Sequence, residues 1–431
     1  MILACYDLII MDTVEELAKA RYAGNGSISL RGNRNQIEFR SPVPCFELSG
    51  EEDSSIHCNC SVDATAFFES GFPEYDAGNF DQTFNLEFSG ECDDGSSVSA
   101  SEACAVLTGT YGHSETGDFC SLRFYSRNAE ITRSAAISGA SVHSRRYHLA
   151  NCPFFVPVGD KIVEGNSERA VPRISIRTPS IEIDLRCFKP DQENRAIGKT
   201  SSLILTPRVP IESERSDELA GALCAVLSLA KRNTVEWMTR EDLDSEGRVL
   251  AVALKNANLL PFQRASTLIP DNCLGGFLMQ CLPHYIANRE EKDIDRTLRL
   301  LVEAEHHPIV DIKYALSFFA METLKSNWLP EKERNGATIN EGITALCNHF
   351  SVRGHSKKLG KLRSKLFHTG GIGGMSFEEV AALYLDLSGI VTECLLRALK
   401  YKGQYIRSDR SRIERRPSPY GDYREMVEGR S

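Results

Sequence analysis

Arg363 and His368 stand five residues apart near the end of the stretch Ser356–Gly371, among Lys357, Lys358, Lys361 and Lys365. An imidazole titrates near neutrality and can take up or release a proton. A guanidinium binds phosphoryl oxygens through a planar fork of N–H donors. Together the two could move a proton beside a phosphate and hold the negative charge that develops there. The spacing alone says little in a chain with ten histidines, and Arg299 with His306 offers a pair of the same loose type. The neighbours separate the two cases. Arg299 lies one helical turn from both Asp295 and Glu303, which makes a solvated ion-pair ladder. Arg363 has no carboxylate within four residues. From Gly342 to Phe377 there is no acidic residue, against six Lys and Arg. A solvated basic helix with a histidine at the negative end of its dipole is the bland account. An unopposed positive face ending on an imidazole suits a polyanion better, and the polyanion it points to is nucleic acid.

These side chains need a helix to carry them. Leu359, Leu362 and Leu366 recur at helical spacing and form one apolar stripe, and Gly370 and Gly371 end the helix. The run Gly370-Gly-Ile-Gly-Gly374 reads as a connector and not as a phosphate loop, because Glu378 and Glu379 follow in the first turn of the next helix. Ser376 as N-cap with Glu379 forms a capping box. Phe377, Val380, Tyr384, Leu387, Val391, Cys394 and Ala398 then hold a 3/4 spacing for about three heptads, a seam fit for a partner. Upstream, the pattern predicts helices over Arg289 to Glu305, Val310 to Lys325 (burying Ile312, Leu316, Phe319 and Leu324), and weakly Glu341 to Phe350.

Before about Pro261 the chain reads as β. Ser27–Arg31 and Gln36–Arg40 alternate around a turn, as a hairpin would, and Arg173–Arg177 and Ile181–Cys187 alternate strongly. Ser201–Thr206, Val235–Met238 and Val249–Leu254 are further strands, and one helix capped by Ser216 interrupts them. Many short strands followed by helices give an α+β chain: a β-rich, sandwich or barrel-like domain over 1–262, a helical domain over 263–402 and a disordered tail over 403–431.

Leu362-Arg-Ser-Lys-Leu-Phe-His-Thr-Gly370, the capped long helix after it and Ala315–Lys325 before it together resemble the HEPN superfamily (higher eukaryote and prokaryote nucleotide-binding) in its ApeA-like branch. The resemblance covers Asp311 to Lys402 well and the rest of the helical half more loosely. Arg363 and His368 match the family's catalytic Arg and His. Glu322 matches its acidic position on the earlier helix and is expected to orient Arg363 or a neighbouring Lys. Ser364 stands where many members carry Asn or Asp, although Arg-Ser-Lys, with Lys365, is at home in this branch. The resemblance implies a HEPN-type helical bundle and metal-independent cleavage of RNA by a homodimer, in antiphage (abortive infection) or stress defence. The chemistry agrees, since an RNA 2′-OH attacks its own phosphate once a base removes its proton, and DNA has no such group. Lys357, Lys358 and Lys361 would then bind the RNA backbone. The second reading is a non-catalytic RNA- or nucleotide-binding module that recruits a partner through its β-rich half.

Composition fits a soluble globular chain, 42% hydrophobic and 25% charged, with no apolar run near the ~20 residues of a membrane span. Met-Ile-Leu-Ala-Cys5 lacks the basic and apolar regions of a leader, so the expectation is a cytoplasmic protein. Its cysteines are too dilute for a disulfide scaffold, and His57-Cys58-Asn-Cys60 has no second ligand pair to make a zinc site. No cofactor and no metal are expected. The net charge of −9 conceals an asymmetry: Ser41 to Leu122 holds sixteen Asp and Glu and no Lys or Arg, which leaves the remainder net positive. That block aids solubility, or it covers the basic helix until a protein trigger competes for it.

Overall fold

A computed structural model describes residues 141–407, apart from 157–158, 165–166, 189–198, 256–259, 261–266, 336–337, 353–357 and 370–373, and, by backbone pairing alone, strands between 21 and 132 and at 414–416. The fold is α+β. Six antiparallel strands form its central sheet: β1 (Ser144–Ala150), β2 (Ser167–Arg177), β3 (Ile181–Cys187), β4 (Lys199–Pro207), β5 (Glu236–Leu243) and β6 (Val249–Lys255). They lie in the order β6-β5-β1-β4-β3-β2. The hairpin of Ser27–Arg31 with Gln36–Arg40 is present, Leu30 opposite Ile37.

Register explains the alternation in the sequence. Tyr147, Leu203, Leu185 and Ile174 face one another across β1, β4, β3 and β2, and Arg145, Leu205, Ile183 and Ile176 form the next row. Partners across a sheet share a face, so these side chains all point one way and Ser202, Asp184 and Arg186 point the other. Helix α1 (Ser213–Lys231) covers the apolar side with Ala220, Leu223, Val226 and Leu227, all fully buried. It starts a turn earlier than expected. Ser216 is not its cap but lies buried inside it, its Oγ 2.8 Å from the hydroxyl of Tyr147. Strand β1 sits at the centre of the sheet although Ser-Arg-Arg-Tyr-His-Leu-Ala reads as polar. Its arginines are compensated. Arg145 Nε lies 3.3 Å from Asp242, which also receives Arg240 Nε at 3.0 Å. Arg240 reaches Asp217 of α1 at 2.8 Å, and the Tyr147 hydroxyl donates to the same carboxylate at 2.8 Å. Burial raises the pKa of Asp217, and Arg240 pulls it back.

The helical half follows. Helix α2 (Leu274–Asn288) was not legible in the sequence; Gly275, Gly276 and Pro283 weaken its pattern. Gly275 is there for close approach, because a Cβ on it would lie 3.1 Å from Ile174 of β2. Helix α3 (Ile294–His306) begins five residues later than expected, after Asp293 turns the chain with φ 49°. Helices α4 (Val310–Trp328), α5 (Ile339–His349), α6 (Lys358–Thr369) and α7 (Phe377–Ala398) come next, α5 and α7 each opening on a capping box, Thr338 with Glu341 and Ser376 with Glu379.

Two faces differ from expectation. Helix α4 buries Tyr314, Phe318, Met321 and Leu324, while Ile312 and Phe319 are 38% and 44% exposed. Both sides of α4 are apolar, so spacing alone could not choose between them. Helix α7 is buried nearly all round, and it packs on α4 of its own chain, so its seam is filled from within. Phe377, read as part of that seam, is exposed. Residues Tyr405–Arg407, expected in the tail, are part of the described fold. The Ile406 N–H donates to the Leu268 carbonyl at 2.7 Å, and Tyr405–Arg407 pairs with Glu414–Arg416. The sheet, α1 and the later helices share one contiguous core, from Tyr147 to Tyr401. Polar ties cross it as well: Lys231 Nζ to Asp271 at 2.5 Å, and Arg232 to Glu305 at 3.7 Å.

Candidate nucleic-acid interface

Helix α6 is fastened by its apolar stripe. Leu359 and Leu362 are wholly buried and Leu366 packs against the same core. From α4, the Tyr314 hydroxyl donates to the Leu359 carbonyl at 2.6 Å. Burial pushes the Tyr314 pKa well above its ordinary value, with Arg363 pulling the other way, so the hydroxyl keeps its proton and remains a donor. On the α5 side, Gly360 allows α6 to lie against Asn340: a Cβ there would stand 2.7 Å from Asn340 Oδ1. Gly360→Ala gains about 1 kcal/mol of helix propensity but overpacks the contact by about 1–3 kcal/mol. It is expected to lower the melting temperature, and adding Asn340→Ala should restore it. A single Gly360→Ala variant that melts above wild type would mean that the two helices do not meet there.

With the apolar stripe turned inward, Lys358, Lys361, Lys365 and His368 are exposed and Ser364 is half-buried. Lys361, Ser364, Lys365 and His368 follow one another at helical spacing, so they line one outward face. Lys357 lies outside the described residues. Arg363 is half-buried on the flank toward α4, its guanidinium carbon 5.7 Å from the centre of the Phe318 ring. Five residues along an α-helix rotate a side chain by about 140°. Arg363 and His368 of one chain therefore leave the helix in different directions. Glu322 forms its ion pair with Lys325, at 2.5 Å on the same helix.

The aromatic pair beneath Arg363 was missing from the sequence reading. Tyr314 and Phe318 are one turn apart and stacked, with ring centres 6.3 Å apart and an interplanar angle of 28°. Their i, i+4 spacing is the signal in the sequence, and it competes on the same helix with the stripe through Ile312 and Phe319. Among the described residues no group of three His, Cys, Asp or Glu could hold a metal ion, and no helix is long and apolar enough to cross a membrane. The side chains of His57, Cys58 and Cys60, and of the acidic block, lie outside the described residues. Compared with known proteins, the chain matches no family model, no curated sequence and no solved structure to a significant degree. The HEPN resemblance rests on the motif residues themselves.

Proposed function

We propose that this chain is a metal-independent endoribonuclease of the HEPN type, an effector in antiphage or stress defence with a β-rich sensor domain ahead of its helical bundle. One observation carries the reading: helix α6 presents Lys358, Lys361, Lys365 and His368 outward while Arg363 rests on an aromatic floor. His368 takes the proton from an RNA 2′-OH, whose oxygen attacks the adjacent phosphorus. Arg363 holds the charge on the phosphorane. The leaving 5′-oxygen needs a proton from a second group, and the products are a 2′,3′-cyclic phosphate and a 5′-hydroxyl. One histidine cannot be base and acid at the same instant, and one chain turns Arg363 and His368 apart. A homodimer answers both points. The seam of α7 is not available for it, but Ile309, Ile312 and Phe319 leave α4 with an exposed apolar edge. An RNA-binding module without catalysis is the second reading, favoured by the angular separation of Arg363 and His368.

EDTA and DNA separate this mechanism from a metal nuclease. Cleavage of single-stranded RNA is expected to continue in excess EDTA, to leave 2′,3′-cyclic phosphate ends and to spare the DNA of the same sequence. Loss of cleavage in EDTA, or equal cutting of DNA, would overturn the proposal.

A further inference from the structure

We infer that Phe318 and Tyr314 are positioning residues for Arg363, holding its guanidinium ready for a phosphodiester. The two rings grip the same turn of α6 in different ways. Tyr314 bonds the carbonyl of Leu359, the oxygen that α-helical geometry also assigns to the Arg363 N–H. That contact fixes the backbone from which Arg363 projects. Phe318 lies beneath the guanidinium itself, 5.7 Å from ring centre to carbon, and is only 2% exposed, so it cannot move aside. The stacking of the two rings on each other makes them one rigid surface. The negative face of an aromatic ring attracts a cation placed over it.

The placement of Arg363 stands on geometry, whereas its consequence for catalysis rests on the ribonuclease reading. The test therefore has two readouts on full-length protein. The first is the rate at which phenylglyoxal, an arginine-selective dicarbonyl, modifies Arg363, followed by peptide mass mapping. Arg240, buried in the sheet, serves as a control inside the same molecule. The second is the kinetics of RNA cleavage. Phe318→Met keeps an apolar side chain of similar bulk but removes the ring face. It is expected to speed modification of Arg363 about threefold or more, leave Arg240 protected, and lower kcat about tenfold with KM nearly unchanged. If Phe318→Met unfolds and Arg240 becomes reactive, Tyr314→Phe decides by the same comparison, since it removes one hydroxyl and no bulk. Unchanged Arg363 reactivity in a folded variant would overturn the inference, whatever the RNA kinetics. A wild-type protein that cleaves no RNA would remove the ribonuclease reading, and the reactivity of Arg363 would still decide the positioning.

Discussion

Arg363→Ala is expected to lower RNA cleavage by about 10²–10³-fold, the usual cost of removing one preorganised donor to a developing oxyanion. The loss should fall on kcat. Lys358, Lys361 and Lys365 remain to bind the backbone, so KM should change little. The fold should tolerate the change, because Arg363 is half-buried and its contact with Phe318 is worth about 0.5–1 kcal/mol. If two chains share each site, mixing Arg363→Ala protomers with inactive His368→Ala protomers should restore part of the activity. Recovery requires that subunits exchange, which a mass measurement on the mixture can establish. No recovery in a mixture shown to contain heterodimers would contradict the shared site.

Arg240→Ala is expected to destabilise the fold by about 3–5 kcal/mol, the cost of breaking a buried ion pair by removing one partner. The reason is what remains behind. Arg240 is 3% exposed and bridges Asp217 at 2.8 Å and Asp242 at 3.0 Å. Without it, Asp217 of α1 and Asp242 of β5 stay at the helix–sheet contact with, among the described residues, Arg145 and the Tyr147 hydroxyl to compensate them. The pH dependence follows from sign. Burial already raises Asp217 in the folded chain, and removing the cation raises it further. A carboxyl whose folded pKa lies above its unfolded value destabilises the fold above that folded pKa and ceases to do so once protonated. The variant should therefore lose more stability, relative to wild type, at pH 7.5 than at pH 4.5. Urea unfolding at both pH values gives the comparison, and a loss below about 1 kcal/mol at pH 7.5 would show that the network is not what holds α1 to the sheet.

How much of this could be seen in the sequence depended on whether each segment faced one environment. Ile181–Cys187 alternates because Ile181, Ile183, Leu185 and Cys187 face the core while Glu182, Asp184 and Arg186 lie on the other side, and it was legible. The capping box of Ser376 and Glu379 is local chemistry, and it marked the start of α7 correctly. Strand β1 was invisible because its buried polar residues are satisfied by partners about seventy to a hundred residues away, such as Ser216, Asp217 and Glu241. Helix α4 is marked by its spacing, but which of its two apolar sides is buried is decided by α3 and α7, which pack on it, and not by α4 itself. The candidate site divided in the same way. Arg363, His368 and their lysines could be named from charge and spacing. The aromatic floor beneath Arg363 required knowing that α4 and α6 touch.

The most direct test of the account is purified full-length protein incubated with total RNA in EDTA, wild type beside His368→Ala. The account predicts fragmentation by wild type with 2′,3′-cyclic phosphate ends, and none by His368→Ala, although the variant still binds RNA through its lysines. Equal fragmentation by both proteins, or RNA binding with no cleavage by either, would contradict it.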